Sequence, residues 1–328
     1  MKRDPVQEAL VALAEAAKRP RDDRFITLIR ESLRHRSNHV VGRAARAVRE
    51  AELATLAPNL IAAFPRFLED PIRRDPGCVA KTQIVHALLA FDYPAPDVYL
   101  RGAVHVQREP SFGPPVDTAP ELRATSAMAL VVMEHPAGLG TCVNLLVDPE
   151  PVARAGGLRG LMASGRPDIA LLVRLFVLRG DGDPGVLAEA FVALLTLSID
   201  DQVPFVAERL AAADHDIARA AAMALGEARR PDAVGALRTH LPTEQRSDVR
   251  HAVILALATS RDEDALNILL ELIATGGAAD SKAAAEALKL YQHDEDLQRR
   301  VEAALARRSA EPRDVHPARR RKASAPRQ

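Results

Sequence analysis

Asp248–Leu257 reads DVRHAVILAL, and the same order of residue types returns as DIARAAAMAL at Asp216–Leu225 and PVARAGGLRGL at Pro151–Leu161. Each copy opens on an acid or a proline, sets a basic residue early, runs through small apolar residues and closes on a leucine. Looser copies stand at Cys78–Leu88, Glu121–Leu130, Gly185–Leu194 and Ser281–Leu288, and weaker ones end at Val48 and Leu13. The closing residues Leu130, Leu161, Leu194, Leu225, Leu257 and Leu288 are separated by 31, 33, 31, 32 and 31 residues. A spacing held that closely marks an internal repeat, not a run of unrelated helices. Between the copies lie second apolar runs such as Ile169–Leu178 and Ala265–Ala274. Two helices joined by short turns fill a period of about 30 residues. The unit is a helical hairpin.

The punctuation agrees with that unit. Gly226 is expected to end one helix, Pro231 to open the next, and Gly276-Gly277 to close another. Asp216, Asp248 and Asp280 fall at expected helix starts, where a carboxylate complements the helix dipole. Small residues such as Gly156-Gly157 and Ala220–Ala222 let helices approach closely. Apolar content is 48% but aromatics only 3%, so burial must come from Ala, Leu and Val packed between helices.

The motif resembles the HEAT family, in particular the short HEAT-like repeats of the phycobilisome-lyase type. In that pattern Arg250, Arg154, Arg123 and Lys81 occupy the basic position, each seven residues before its closing leucine, with Arg219 and Lys282 displaced by one. The resemblance covers roughly residues 4 to 307. It implies an all-α fold, an alpha-alpha superhelix of the HEAT/ARM type with about eight or nine hairpins, right-handed, one helix of each hairpin lining a concave face. The recurring base is expected to form a stacking ladder between repeats with neighbouring acids. The expected organisation is a solenoid over 1–308 followed by a disordered basic tail over 309–328.

Two intervals are longer. Val48 to Leu88 spans 40 residues and Leu88 to Leu130 spans 42, each about ten beyond the basic period. The first reads as a long second helix from about Leu53 to Asp70 with a connector, PIRRDPGC. The second holds an irregular insert at about 103–117, broken by Pro110, Pro114 and Pro115. Inserted loops carry binding function more often than the scaffold that presents them. The candidate partner-binding residues are therefore Tyr99, His105, Gln107, Arg108, Glu109, Phe112 and Asp117. The competing reading makes the insert a stacking plug, with Thr118 and Glu121 as a capping box for the helix that follows.

Chemistry is poorly represented. No G-x-S-x-G elbow, P-loop, H-E-x-x-H or C-x-x-C pair occurs. Cys78 and Cys142 are expected as buried thiols, and no catalytic residue, metal ligand or cofactor is assigned. Convergence of His86, His105, Asp117 and Cys78 near the insert is the one route to a lyase-like or metal-dependent site. Among HEAT-fold enzymes, the phycobilin lyases and alkylpurine DNA glycosylases have site residues with no counterpart in this sequence.

Net charge is zero, but residues 299–328 carry ten Arg or Lys against three Asp or Glu, which leaves the body mildly acidic. An acidic body argues against a broad phosphate-binding face. Nucleic-acid association through Arg319, Arg320, Arg321 and Lys322 stays open as the alternative. No apolar run is long enough to cross a membrane and no secretory h-region follows the start, so a cytoplasmic address is expected. The leading expectation is a non-enzymatic scaffold that binds a protein through its groove, with or without the insert.

Overall fold

The computed structural model describes residues 4–18, 22–197 and 202–310. The basic tail from 311 onward, with Arg319–Lys322, lies outside the described residues. The chain divides into two compact units, 1–224 and 225–328.

In the first unit the helices are α1 (Pro5–Ala16), α2 (Asp23–Leu33), α3 (Asn38–Glu50), α4 (Ala57–Ala63), α5 (Pro71–Arg74), α6 (Val79–Ala90), α7 (Pro96–Ala103), α8 (Pro120–Val132), α9 (Gly138–Leu145), α10 (Pro151–Ala163), α11 (Ala170–Arg179), α12 (Pro184–Leu197) and α13 (Gln202–Ala207). α14 (His215–Glu227) runs across the boundary. The second unit continues with α15 (Pro231–His240), α16 (Ser247–Thr259), α17 (Glu263–Thr275), α18 (Ala278–Ala287) and α19 (Glu295–Ala310). Within each unit the helices pair as antiparallel hairpins and the first helices of successive hairpins pack on one another, as α3 on α6, α8 on α10, α10 on α12 and α16 on α18. This is the all-α, alpha-alpha superhelix class of packing. No described helix is long and apolar enough to cross a membrane.

The closing residues of the motif are the core: Val48, Leu88, Leu130, Leu161, Leu194, Leu225, Leu257 and Leu288 are all buried. The basic residues form the expected ladder over part of the chain. Arg123 clasps Asp148 with Nε and Nη2 at 2.9 Å each, Arg154 clasps Asp181 at 2.7 and 2.8 Å, and Arg250 clasps Asp280 at 2.8 and 2.7 Å. Each acid belongs to the following repeat, and Asp148 and Asp181 also accept the backbone N–H two residues on. One carboxylate thus shapes its own turn and receives the previous repeat's guanidinium, a bidentate arrangement with little freedom left. After Arg154 the equivalent place is the buried Leu187, and the ladder is interrupted there until Arg250. Arg219 instead pairs with Asp216 in its own helix, exposed to solvent.

Three local expectations are corrected. The stretch from Leu53 to Asp70 is not one helix: a 3-10 turn at Ala54–Leu56, α4 and a second 3-10 turn at Phe64–Phe67 follow one another. Pro65 has no N–H to give an α-helical ladder, and the tighter winding accommodates it. Gly226 does not end its helix. It lies inside α14, where a Cβ would come within 2.4 Å of the Ala256 carbonyl oxygen, so it serves close packing. The Thr118–Glu121 capping box does not form: α8 has no side-chain cap, and Thr118 is drawn into the insert.

Candidate functional site

The insert is a short antiparallel hairpin, β1 (Arg108–Glu109) paired with β2 (Val116–Asp117), between α7 and α8. Strand residues alternate between two faces. From 104 to 109, His105, Gln107 and Glu109 turn toward the helices, while Val104, Val106 and Arg108 are exposed.

The inward face closes a buried polar network. Lys81, wholly buried on α6, uses all three ammonium donors: Asp75 Oδ2 at 2.9 Å, the Phe67 carbonyl at 3.0 Å and Gln107 Oε1 at 2.9 Å. Asp75, also wholly buried, accepts further from Asn38 Nδ2, Ala80 N and Lys81 N at 3.1, 2.8 and 3.1 Å. Gln107 Nε2 donates to the Asp75 carbonyl at 2.8 Å and to Glu109 Oε1 at 2.6 Å. That Glu109 oxygen also receives Gly77 N and Thr118 Oγ1, both at 2.7 Å. Burial would raise Glu109, but the bonds from Thr118, Gln107 and Gly77 outweigh it and hold the carboxyl below its ordinary range. The Lys81 and Asp75 charges cancel and both groups are fully bonded, which is what makes an ion pair tolerable at this depth, while the Glu109 carboxylate is held by three neutral donors.

A second clamp sits at the hairpin's base. Asp117 accepts from Gln107 N, Ala119 N and Arg123 Nη1 at 3.1, 3.0 and 2.7 Å. Arg123 Nη1 also reaches the His105 carbonyl at 2.9 Å. Burial opposes the Arg123 charge, yet Asp148 and Asp117 overcome it and raise the guanidinium above its usual value. The ladder arginine therefore also holds the insert.

Of the residues singled out from sequence, Tyr99 and Gln107 are buried, Tyr99 donating to the Tyr93 carbonyl at 2.7 Å and Gln107 bonded within the network. Asp117 and Glu109 are spent on the network. His105 Nε2 bonds Gln107 Oε1 at 3.1 Å, and burial lowers its imidazole. Arg108 is exposed, and Phe112 stands free at the tip. The outward side adds Val104, Val106 and Val116, at 75%, 53% and 54% exposure. Sequence reading missed these valines, and also Asp75 and Lys81 as the hub; alternation in V-H-V-Q-R-E was the available signal for the former.

No three His, Cys, Asp or Glu side chains among the described residues come together as a metal site. His86 faces Glu121 at 3.3 Å, away from the hairpin bonds. Cys78 is buried and its thiol is pushed up to about 11, first by burial; Cys142 rises to about 12 for the same reason. Neither is a thiolate nucleophile near neutral pH. Two spacings passed over in the sequence have structural explanations. Gly180–Gly185 reads G-x-G-x-x-G but joins α11 to α12 with no strand before it, and its Asp181 is Arg154's partner. His35 and His39 stand four apart, and His35 Nδ1 accepts the Ser37 N–H of its own turn.

Residues 203–289 match the HEAT-repeat family. No curated protein matches the chain. Among solved structures, human deoxyhypusine hydroxylase in complex with glycerol is similar at 16% identity, over 88% of this chain and 98% of its own, with a TM-score of 0.27. An engineered protein is similar at 16% identity, over 94% of this chain and 97% of its own, with a TM-score of 0.38. Likenesses that loose carry no argument about activity. The repeat signature does carry one about kind: residues 203–289 of this chain are HEAT repeats.

Proposed function

We propose that this chain is a protein-binding scaffold and that the 104–117 hairpin is its recognition element. One observation carries the reading: a hairpin whose inner face is locked by a fully bonded polar network presents an outer face of Val104, Val106, Val116 and Phe112 to solvent. An exposed apolar group on a rigid mount is what a binding surface needs, because little ordering entropy remains to be lost. A plug that only filled the longer repeat would have no use for that outer face. HEAT-type stacks supply extended surfaces of this kind. No catalytic role is assigned: His105, Glu109 and Asp117 are each held in hydrogen bonds that build the hairpin and its support.

The test is affinity capture from the source organism's lysate with the intact chain beside V106D/F112S, which leaves Gln107, Glu109 and Asp117 untouched. Both must first show the same helical signal and melting. A protein held by the intact chain and lost from the variant supports the hairpin as the recognition element. Equal capture by both moves recognition elsewhere, and no specific capture by either counts against the scaffold reading.

A further inference from the structure

In the second unit, α16 is followed by a residue in the left-handed backbone region, Arg261 at φ 57°, and α14 by Arg229 at φ 50°. Such positions favour Gly or Asn, because a Cβ there crowds the following carbonyl. The corresponding turn in an earlier repeat does hold Gly165, and others hold Glu52, Asp92 and Glu134. Arginine thus stands at two successive turns whose backbone would favour glycine. His293 lies one further period along, so Arg229, Arg261 and His293 recur every 32 residues. All three are exposed.

They line one cleft of about 530 Å³ with Leu290, Tyr291 and Asp294. Neither guanidinium has an ion-pair or side-chain hydrogen-bond partner among the described residues, whereas Arg123, Arg154 and Arg250 are all paired. Tyr291 is fixed by its hydroxyl donating to the Ala258 carbonyl at 2.6 Å, and both arginines act against the rise that burial imposes on its phenol. Asp294, the one carboxylate in the lining, is turned to the α19 start, where it accepts Leu297 N at 3.0 Å. Leu290 is 63% exposed. The cleft therefore offers unspent positive charge beside an exposed apolar side chain.

Spacing selects the ligand. Packed helices lie about 8–10 Å apart, and an extended chain rises about 3.3 Å per residue. In the polyproline II form, with three residues per turn, acids three positions apart share one face about 9 Å apart and meet successive turns, and an apolar side chain one turn further along falls beside Leu290 in the 288–291 turn. We propose that this cleft binds an extended acidic peptide segment of a partner protein, its carboxylates on Arg229 and Arg261. The site does not depend on the hairpin reading.

The test selects random peptides about twelve residues long, enough to span three turns, on the full chain. The enriched peptides are then measured by fluorescence anisotropy against the intact chain and R229G/R261G. Glycine relaxes both left-handed turns, so lost binding cannot be laid to misfolding. The expected pool is acidic, with Asp or Glu three apart. Its affinity drops by about tenfold or more in the variant and weakens as salt rises from about 0.05 to about 0.5 M. A pool without acidic enrichment, or acidic peptides that bind the variant equally well, overturns the proposal. Displacement of the peptide by an equal concentration of inorganic phosphate overturns it as well, in favour of an isolated anion pocket.

Discussion

Glu244 shows how much one side chain is asked to hold. Its nearly buried carboxylate accepts Arg246 N, Nε and Nη2 at 2.8, 3.0 and 2.7 Å and meets His240 Nε2 at 2.9 Å. Its carbonyl receives the ladder arginine, Arg250, at 3.1 Å. Hydrogen bonds from Arg246 lead the causes that bring its pKa from 4.5 down to about 2. A carboxyl lowered on folding adds stability that is complete above its unfolded pKa and is lost as pH falls toward the folded one. The contribution is therefore whole above about pH 5 and gone near pH 2, with an upper bound of about 3 kcal/mol. Glu244→Gln should melt lower than the native chain near neutral pH, and the gap should close as pH falls through that window. Melting temperatures taken across it decide the matter; a gap independent of pH would mean that the carboxylate's charge adds nothing.

At the scale of the element, helix contact is set by which residues lack a side chain. Gly156 on α10 faces α8 so closely that a Cβ would lie 2.1 Å from the Ala124 Cβ, while Gly235 on α15 has nothing within 4 Å. Alanine is the better helix former by about 0.5–1 kcal/mol, and overpacking costs about 1–3 kcal/mol. Packing wins at the first site and propensity at the second. Gly156→Ala should destabilise by about 1–2 kcal/mol and Gly235→Ala should stabilise by up to about 1 kcal/mol in chemical denaturation. The same sign at both sites would show that propensity, not contact, governs this stack. Gly156 was legible as a close-approach residue because the repeat frame placed it on a helix beside small neighbours. The hairpin was not legible in the same way. Gln107 and Glu109 find their partners 26 to 32 residues away, at Lys81, Asp75 and Gly77, and no local pattern records that. Thr118 does not cap α8; its hydroxyl is turned across the hairpin to donate to Glu109, nine residues back.

Across the whole molecule, stacked hairpins contact their neighbours and little else, so stability is a sum of local terms instead of one cooperative core. The period that made the architecture readable also limits how far a disturbance should travel. Lys81 offers a sharp disturbance, because Lys81→Met leaves the Asp75 carboxylate buried with its Asn38 and backbone donors but no counter-charge. Breaking a buried pair from one side costs about 3–5 kcal/mol. The network ties α3, α6 and the hairpin together, and Arg123 extends it to Asp148. Hydrogen exchange on the full chain should then show lost protection across 38–90 and 104–132, fading by α10, with 170–197 in the same unit as well protected as in the native chain. An equal loss across 170–197 would make the first unit one cooperative block, and the local reading of the stack would fall with it. Adding Asp75→Asn to Lys81→Met should recover part of the lost protection, since it removes the stranded charge while keeping the amide-sized side chain that Asn38 bonds. A double variant as damaged as the single would place the cost in shape, not charge.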